Sequence, residues 1–392
     1  DKDVKAGKSE EAIFKLFSRG IGTYKDEWLY DYSKKNLEEK MRYFIKIYEA
    51  SREDENFAGK MKIKWDEDLV SYLKRDIKKS FDPSKIYKTQ FRPFVKSYLY
   101  FDNHFIGRTY QWLDMFKENE INIYISFNSL GNTKGLHLIA TNTISDLHLT
   151  GDSQTLPLYT FDSENQKHEN ITDWGLTQFR NHYKTSNGDK ITKEDIFYYA
   201  YAALHAPAYR KKYGQNLKRE FPRLPFYDGF FKWRDWGKEL MDLHVNYETV
   251  EPFDLIRADY VETSVAPVLK GKKRNELFEN GIMTQESYHK SFEEKVKTKL
   301  RADKSNGSIV IDSHTILSSI PPIAWEYKLG NRSALEWILD QYKERKPSDA
   351  TIAEKFNTYK FEDYKEQVID LLRRVTTVSV RTMEIINRMP QE

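Results

Sequence analysis

The segment IFYYAYAALHAPAYRKKYGQNLKREFPRLPF, residues 196–226, sets the reading of the whole chain. A tyrosine-rich run turns at His205-Ala206-Pro207 and continues into a second run bearing Arg210, Lys211, Lys212, Lys218 and Arg219. Both runs read as helices. Thr192 is placed to cap the first, with Glu194 and Asp195 in the turn where the helix dipole favours carboxylates. Pro207 suits the first turn of the second. That run ends at Arg223, held between Pro222 and Pro225. A helical hairpin with cations on one side and aromatic rings on the other fits a polyanion such as DNA. Tyr198, Tyr199 and Tyr201 are assigned to the core in preference to stacking. His205, at a helix end, is assigned to carbonyl capping in preference to catalysis.

Working outward, residues 36–50 carry Leu37, Met41, Phe44, Ile45 and Tyr48 at three-and-four spacing and read as a helix. Residues 9–19, with Ile13, Phe14 and Phe17 on one side, are expected to form a shorter one, and 66–79 another. Between 85 and 161 the runs VKSYLYF, INIYISF, GLHLIAT, DLHL and LPLYTF alternate with turn residues and read as strands. Residues 162–190 are polar and read as loop. Downstream, a helix is expected near 236–245 and another at 333–342. SIVIDS, TILSSI and IAWEYKL are expected as strands of a small second sheet near 308–328. A long final helix over 361–389 carries the stripe Val368, Leu371, Leu372, Val375, Val378, Met383 and Ile386. The class is α+β: a sheet-containing middle region flanked by helix-rich segments. The expected divisions are 1–58, a helical connector, then 59–165, mixed α/β, and 166–392, helix-rich.

With 392 residues, the chain exceeds one ordinary core. It is 39% hydrophobic and 31% charged, with no run of 18 apolar residues, so no membrane span is expected. No signal-peptide core and no initiating Met are present, and the sequence reads as a fragment. Zero Cys excludes disulfides, thiolate metal sites and Cys nucleophiles, and fits a reducing cytoplasm. The net charge of +3 is unevenly spread. Residues 60–96 hold eleven Lys/Arg against five Asp/Glu, and 205–238 hold nine against three. Two basic windows rich in Tyr, Phe and Trp suit a surface that tracks phosphates, where each neutralised phosphate releases counterions.

The catalytic inventory is thin. No phosphate-binding G-x-x-x-x-G-K-[ST] loop, no Asn/Asp-Pro-Pro-Tyr/Phe loop, no zinc spacing among nine His and no Gly-x-Ser-x-Gly elbow is present. One constellation, Asp312 in SIVIDS with Glu326 and Lys328, has the layout by which nucleases hold Mg²⁺. A strand-end Asp with an exposed Glu-Lys pair is the commoner meaning. Base and phosphate contacts on a duplex draw on Arg, Lys, Asn and Gln. Phosphate candidates are Lys85, Lys88, Lys96, Lys134, Lys211, Lys212 and Lys218. Base-edge candidates, placed where turns project them, are Gln90, Arg92, Arg108, Asn128, Asn132, Arg210, Arg219, Arg223 and Arg234. Arg92 and Arg223 have a second reading as structural clamps, and Asn128 and Asn132 as turn formers with positive φ.

Six separated blocks carry a family resemblance: FSRGIGTYKDEWLYDYSK (17–34), TQFRPFVKSYLYFD (89–102), TNTISDLHLTGDSQTLPLY (141–159), residues 196–226, WGKELMDLHVNYE (236–248) and WEYKLGNRSALEWILDQY (325–342). The closing RRVTTVSVRTMEIINRMP (373–390) also fits. In this order they resemble the C-terminal target-recognition region of Type ISP single-polypeptide restriction-modification enzymes. The resemblance implies specific binding to a short asymmetric double-stranded DNA site by a chain without catalytic residues or cofactors of its own. It implies that residues 18–34 are the trailing edge of an adenine methyltransferase, and that 59–165 and 166–392 are the halves of the recognition domain. Methylation, ATP-driven translocation and cleavage, with S-adenosylmethionine, ATP and Mg²⁺, are implied for other modules of one parent polypeptide in a bacterial cytoplasm. A structural coupling module without DNA specificity is the remaining alternative. Tyr24-Lys25-Asp26 departs from the family's Asn-Arg-Asp.

Overall fold

The computed structural model describes residues 11–54, 57–128, 131, 133–260, 270, 272–282, 284 and 296–391. Two compact units form: residues 1–253 with 323–392, and residues 254–322.

In the larger unit, helix α1 (Lys34–Glu53) starts at Ser33, whose side chain accepts from the Asn36 N–H. Leu37, Met41, Phe44 and Tyr48 recur on one face and are fully buried. They share a core with Trp28, Leu99, Tyr100, Phe105, Trp112 and Tyr124. Each such side chain contributes about 1.5–3 kcal/mol of burial. The next helix, α2 (Glu67–Lys74), is capped by Asp66. Strands β1 (Ser18–Arg19) and β2 (Tyr30–Asp31) lie early in the chain. β3 (Ile86–Arg92) and β4 (Val95–Tyr100) form an antiparallel hairpin with Thr89 opposite Ser97, and β2 pairs with β4. A second sheet contains β5 (Tyr124–Phe127), β6 (Leu138–Thr141) and β7 (Gln154–Pro157), in the order β1-β7-β5-β6. β8 (Tyr159–Phe161) pairs with β9 (Lys167–Glu169).

The helical part contains α3 (Asp173–His182), α4 (Lys193–His205), α5 (Pro207–Tyr213) and α6 (Phe230–Val245). Helices α7 (Ala334–Gln341) and α8 (Lys365–Arg388) follow, with a short helix over Ala350–Lys355 between them. α4 opens with a reciprocal capping box between Thr192 and Asp195, which satisfies two otherwise orphaned N–H groups. α4 and α6 approach so closely at Gly237 that a Cβ there would overlap the Tyr198 carbonyl. In the smaller unit an antiparallel sheet runs β10-β13-β12-β11, from β10 (Ile256–Asp259), β11 (Thr298–Asp303), β12 (Ser308–Asp312) and β13 (Thr315–Ser318). The class is α+β, with the long C-terminal helix in place. Among the described residues no helix is long and apolar enough to cross a membrane.

Four expected elements differ. The described part of 9–19 is not helical: Phe14 bridges Ile171, and Lys15 and Leu16 donate to Asn170. Backbone bonding to a distant segment outcompetes a short helix. DLHL forms turns rather than a strand, joined to Ile21 by a single bridge at Asp146. Residues 173–182, read as loop, form α3, whose cap is Thr172. IAWEYKL does not join the second sheet. It forms a 3-10 turn over Pro322–Trp325 and then the two-residue β14 (Lys328–Leu329), paired with β15 (Arg332–Ser333).

Candidate nucleic-acid interface

The 196–226 segment folds onto a buried polar frame. Tyr199 and Tyr201 are fully buried and Tyr198 nearly so, as core residues rather than stacking platforms. The Tyr201 hydroxyl accepts the Ala140 N–H at 2.8 Å and meets His244 Nδ1, while His244 Nε2 meets Thr382 Oγ1 at 2.9 Å. β6, α4, α6 and α8 are tied together by this chain. Burial pushes the His244 imidazole down to about 3 and holds His205 well below the usual histidine range. His205 Nδ1 lies 2.8 Å from the Tyr201 carbonyl, an end-of-helix contact.

Beyond α5 the chain crosses the surface as a strap without regular secondary structure over residues 221–227. Three tyrosine hydroxyls grip it. Tyr209 donates to the Arg223 carbonyl at 2.8 Å, Tyr199 to the Pro225 carbonyl at 2.5 Å, and Tyr183 to the Tyr227 carbonyl at 2.6 Å. Tyr199 also accepts the Tyr227 N–H. The grip leaves Arg223 88% exposed, paired among the described residues with the exposed Glu220 at 3.0 Å. A concavity of about 450 Å³ on α5 and the strap is lined by Tyr209, Tyr213, Leu217 and Arg223. Another, of about 630 Å³, is largely apolar, with Phe17, Trp174, Phe179 and Phe226 in its lining. The β5–β6 loop rests beside this region: Gly131 N–H donates to the Lys218 carbonyl at 2.8 Å. Gly131 and Gly135 adopt φ of +81° and +75°, which favour glycine.

The structure separates the sequence candidates into two groups. Lys211, Lys212, Arg219, Arg223 and Lys134 are exposed, and Lys218 is half-buried. The first three form no ion pair with a described acidic residue, although Lys212 lies over the Tyr213 ring. They, Arg223 and Lys218 lie along α5 and the stretch leading into the strap. The second group is paired or bonded within the protein, with Lys88 and Arg108 still exposed. Lys88 and Lys96 both bind Glu248, at 3.2 and 2.7 Å. Burial raises the Glu248 carboxyl, but the two ammoniums outweigh it and hold it below the usual range. Arg92 binds Asp146 at 2.6 Å, and burial raises that carboxyl against the pull of Arg92. Gln90 is 1% exposed and donates to the Arg92 carbonyl. Arg108 pairs with Asp68, and Arg234 with the capping residue Asp195. Arg210 donates through Nε to Leu204, the end of α4, and burial lowers its guanidinium to about 10. The buried Asn128 accepts the His137 N–H. In the free chain the polar atoms of Gln90, Arg92, Asn128 and Arg210 bond within the protein, as the clamp reading of Arg92 expects. Asn132 lies outside the described residues, and the half-buried Lys85 is remote in sequence from the strap.

Lys25, the departure from the family's Asn-Arg-Asp, also faces inward, bound to Asp66 and to the Phe105 carbonyl. Asp312 Oδ1 accepts from the His314 and Thr315 N–H groups as a turn former, in the smaller unit, whereas Glu326 and Lys328 belong to the larger. Among the described residues no group of three or more His, Asp and Glu is arranged to hold a metal. The clamping role of Tyr183, Tyr199 and Tyr209 escaped the sequence reading. A tyrosine's hydroxyl partner depends on chain returning from elsewhere, and spacing carries no signal of it.

No curated protein matches the chain. The solved structure titled "cryoEM structure DrdV-DNA complex" is 38% identical with a TM-score of 0.83, covering 97% of this chain and 36% of its own. A nuclease-deletion mutant of the Type ISP restriction-modification enzyme LlaGI, in complex with a DNA substrate mimic, is 26% identical with a TM-score of 0.74, covering 97% and 33%. The ATP-dependent Type ISP enzyme LlaBIII bound to DNA shares the fold, with 24% identity, a TM-score of 0.76 and coverage of 98% and 24%. The chain thus spans about a third or less of those chains. The family model of the Type ISP C-terminal specificity domain matches residues 12–371. This chain belongs to the Type ISP C-terminal specificity domain family.

Proposed function

We propose that the chain recognises a specific duplex DNA site for a Type ISP restriction-modification enzyme and has no catalytic activity itself. It presents the site to methyltransferase and translocase-nuclease modules of one parent polypeptide in the bacterial cytoplasm. S-adenosylmethionine, ATP and Mg²⁺ serve those modules. One observation carries this reading: exposed cations along α5 and the strap, of which only Arg223 has an acidic partner among the described residues, stand on an aromatic frame held by buried hydrogen bonds. Cations without carboxylate partners exchange only water and counterions for phosphate, so their attraction to DNA is not offset by a broken ion pair. The DNA complexes of DrdV, LlaGI and LlaBIII lend support.

The test is selection of preferred duplexes from a random pool, followed by titration of the winner against salt. A log–log slope of about −3 to −4 is expected from some four phosphate contacts. Preference over random duplexes is expected to reach at least a thousandfold. Weak binding without preference would leave a structural coupling module instead, and Mg²⁺-dependent cutting would overturn the non-catalytic reading.

A further inference from the structure

We infer that the strap over residues 221–227 enters the minor groove of the bound duplex, and that Arg223 reads the base pairs there. The inference rests on the DNA-recognition reading above. Its first support is shape. The gripped carbonyls belong to Arg223, Pro225 and Tyr227, alternate residues that face the protein as in an extended chain. Proline also fixes φ at Pro222 and Pro225. A helix about 10–12 Å across fits the major groove, roughly 12 Å wide. A single extended chain is slimmer and suits the minor groove, about 6 Å wide.

Chemistry is the second support. The strap offers no Asn or Gln, the residues that pair with adenine in the major groove. It offers an arginine and apolar groups, the combination used by proteins that enter and wedge the minor groove. Arg223 is 88% exposed, and Phe226, stacked on His182 at 4.3 Å, exposes 42% of its surface. A narrow minor groove concentrates negative potential and draws in a guanidinium. The opposing Glu220 contact is exposed on both sides and readily exchanged. The carbonyl oxygens of Arg223, Pro225 and Tyr227 point to tyrosine hydroxyls, so their negative ends are kept from the phosphates. Tyr209 is a positioning residue, fixing the backbone from which Arg223 projects.

Base analogues in the selected duplex separate the grooves. Inosine for guanine removes a minor-groove amino group, and 2,6-diaminopurine for adenine adds one. 7-Deazapurines alter only the major groove. At one or two positions the minor-groove exchanges are expected to change Kd by about 5- to 100-fold for the unmodified chain. For Arg223→Ala they are expected to change nothing, while 7-deaza effects persist in both. In Tyr209→Phe the minor-groove discrimination is expected to shrink without a change in salt slope. Minor-groove effects that survive in Arg223→Ala, or 7-deaza effects that vanish there, would overturn the assignment. So would equal weakening of every duplex by Arg223→Ala, the mark of a phosphate contact. A chain that selects no preferred duplex fails the DNA-recognition reading before any analogue is tried.

Discussion

Removing one oxygen, in Tyr201→Phe, tests whether the interface stands on a rigid frame. The hydroxyl accepts from Ala140 N–H and, by that geometry, donates to His244 Nδ1, leaving Nε2–H for Thr382. Ala140 and His244 are 1% and 0% exposed, so water cannot replace the lost partner. Each buried group left unsatisfied costs about 1–3 kcal/mol. Phenylalanine fills nearly the same volume, so the cavity adds little, and the expected loss is about 2–5 kcal/mol. That is a large share of a stability of roughly 5–15 kcal/mol. Urea unfolding followed by tryptophan fluorescence measures it, because all eight tryptophans lie in the larger unit. The midpoint should fall with an unchanged m value. In a His244→Phe background only the Ala140 N–H is newly orphaned, and the same substitution should cost about half as much. A loss below about 1 kcal/mol, or an equal loss in both backgrounds, would refute the shared-hydroxyl reasoning.

Acid should destabilise the larger unit earlier than carboxylate protonation alone would. Burial lowers His104 to about 4, His244 to about 3 and His205 well below its usual value, against about 6.5 when unfolded. The unfolded chain therefore binds more protons below pH 6.5, and stability present above that pH falls by up to about 1.4 kcal/mol per pH unit per histidine. Urea midpoints that stay flat from pH 7 to 5.5 would contradict this. Gly237→Ala tests the α4–α6 contact by its sign: alanine favours an exposed helix interior by about 1 kcal/mol. Here the added Cβ must push Tyr198 backbone away, and a loss of at least about 2 kcal/mol is expected in the same urea assay. A gain in stability would show that the two helices part without cost.

What could be read without coordinates was whatever the chain encodes locally. The period of α1, the Thr192 cap of α4, Pro207 at the start of α5 and the stripe of α8 follow from neighbours three and four residues apart, and each is where the spacing put it. The family blocks were legible for the same reason. Tertiary structure decided which cations remain available. Lys88, Lys96 and Arg92 resemble Lys211 and Arg219 in any window of sequence, but Glu248 and Asp146, more than 50 residues away along the chain, neutralise them. Long-range approach also turned residues 14–16 from a helix into a partner of Ile171 and Asn170. Charge and periodicity are properties of the string. Ion pairing, burial and the direction a side chain faces are properties of the packed chain, because each requires a second segment to arrive.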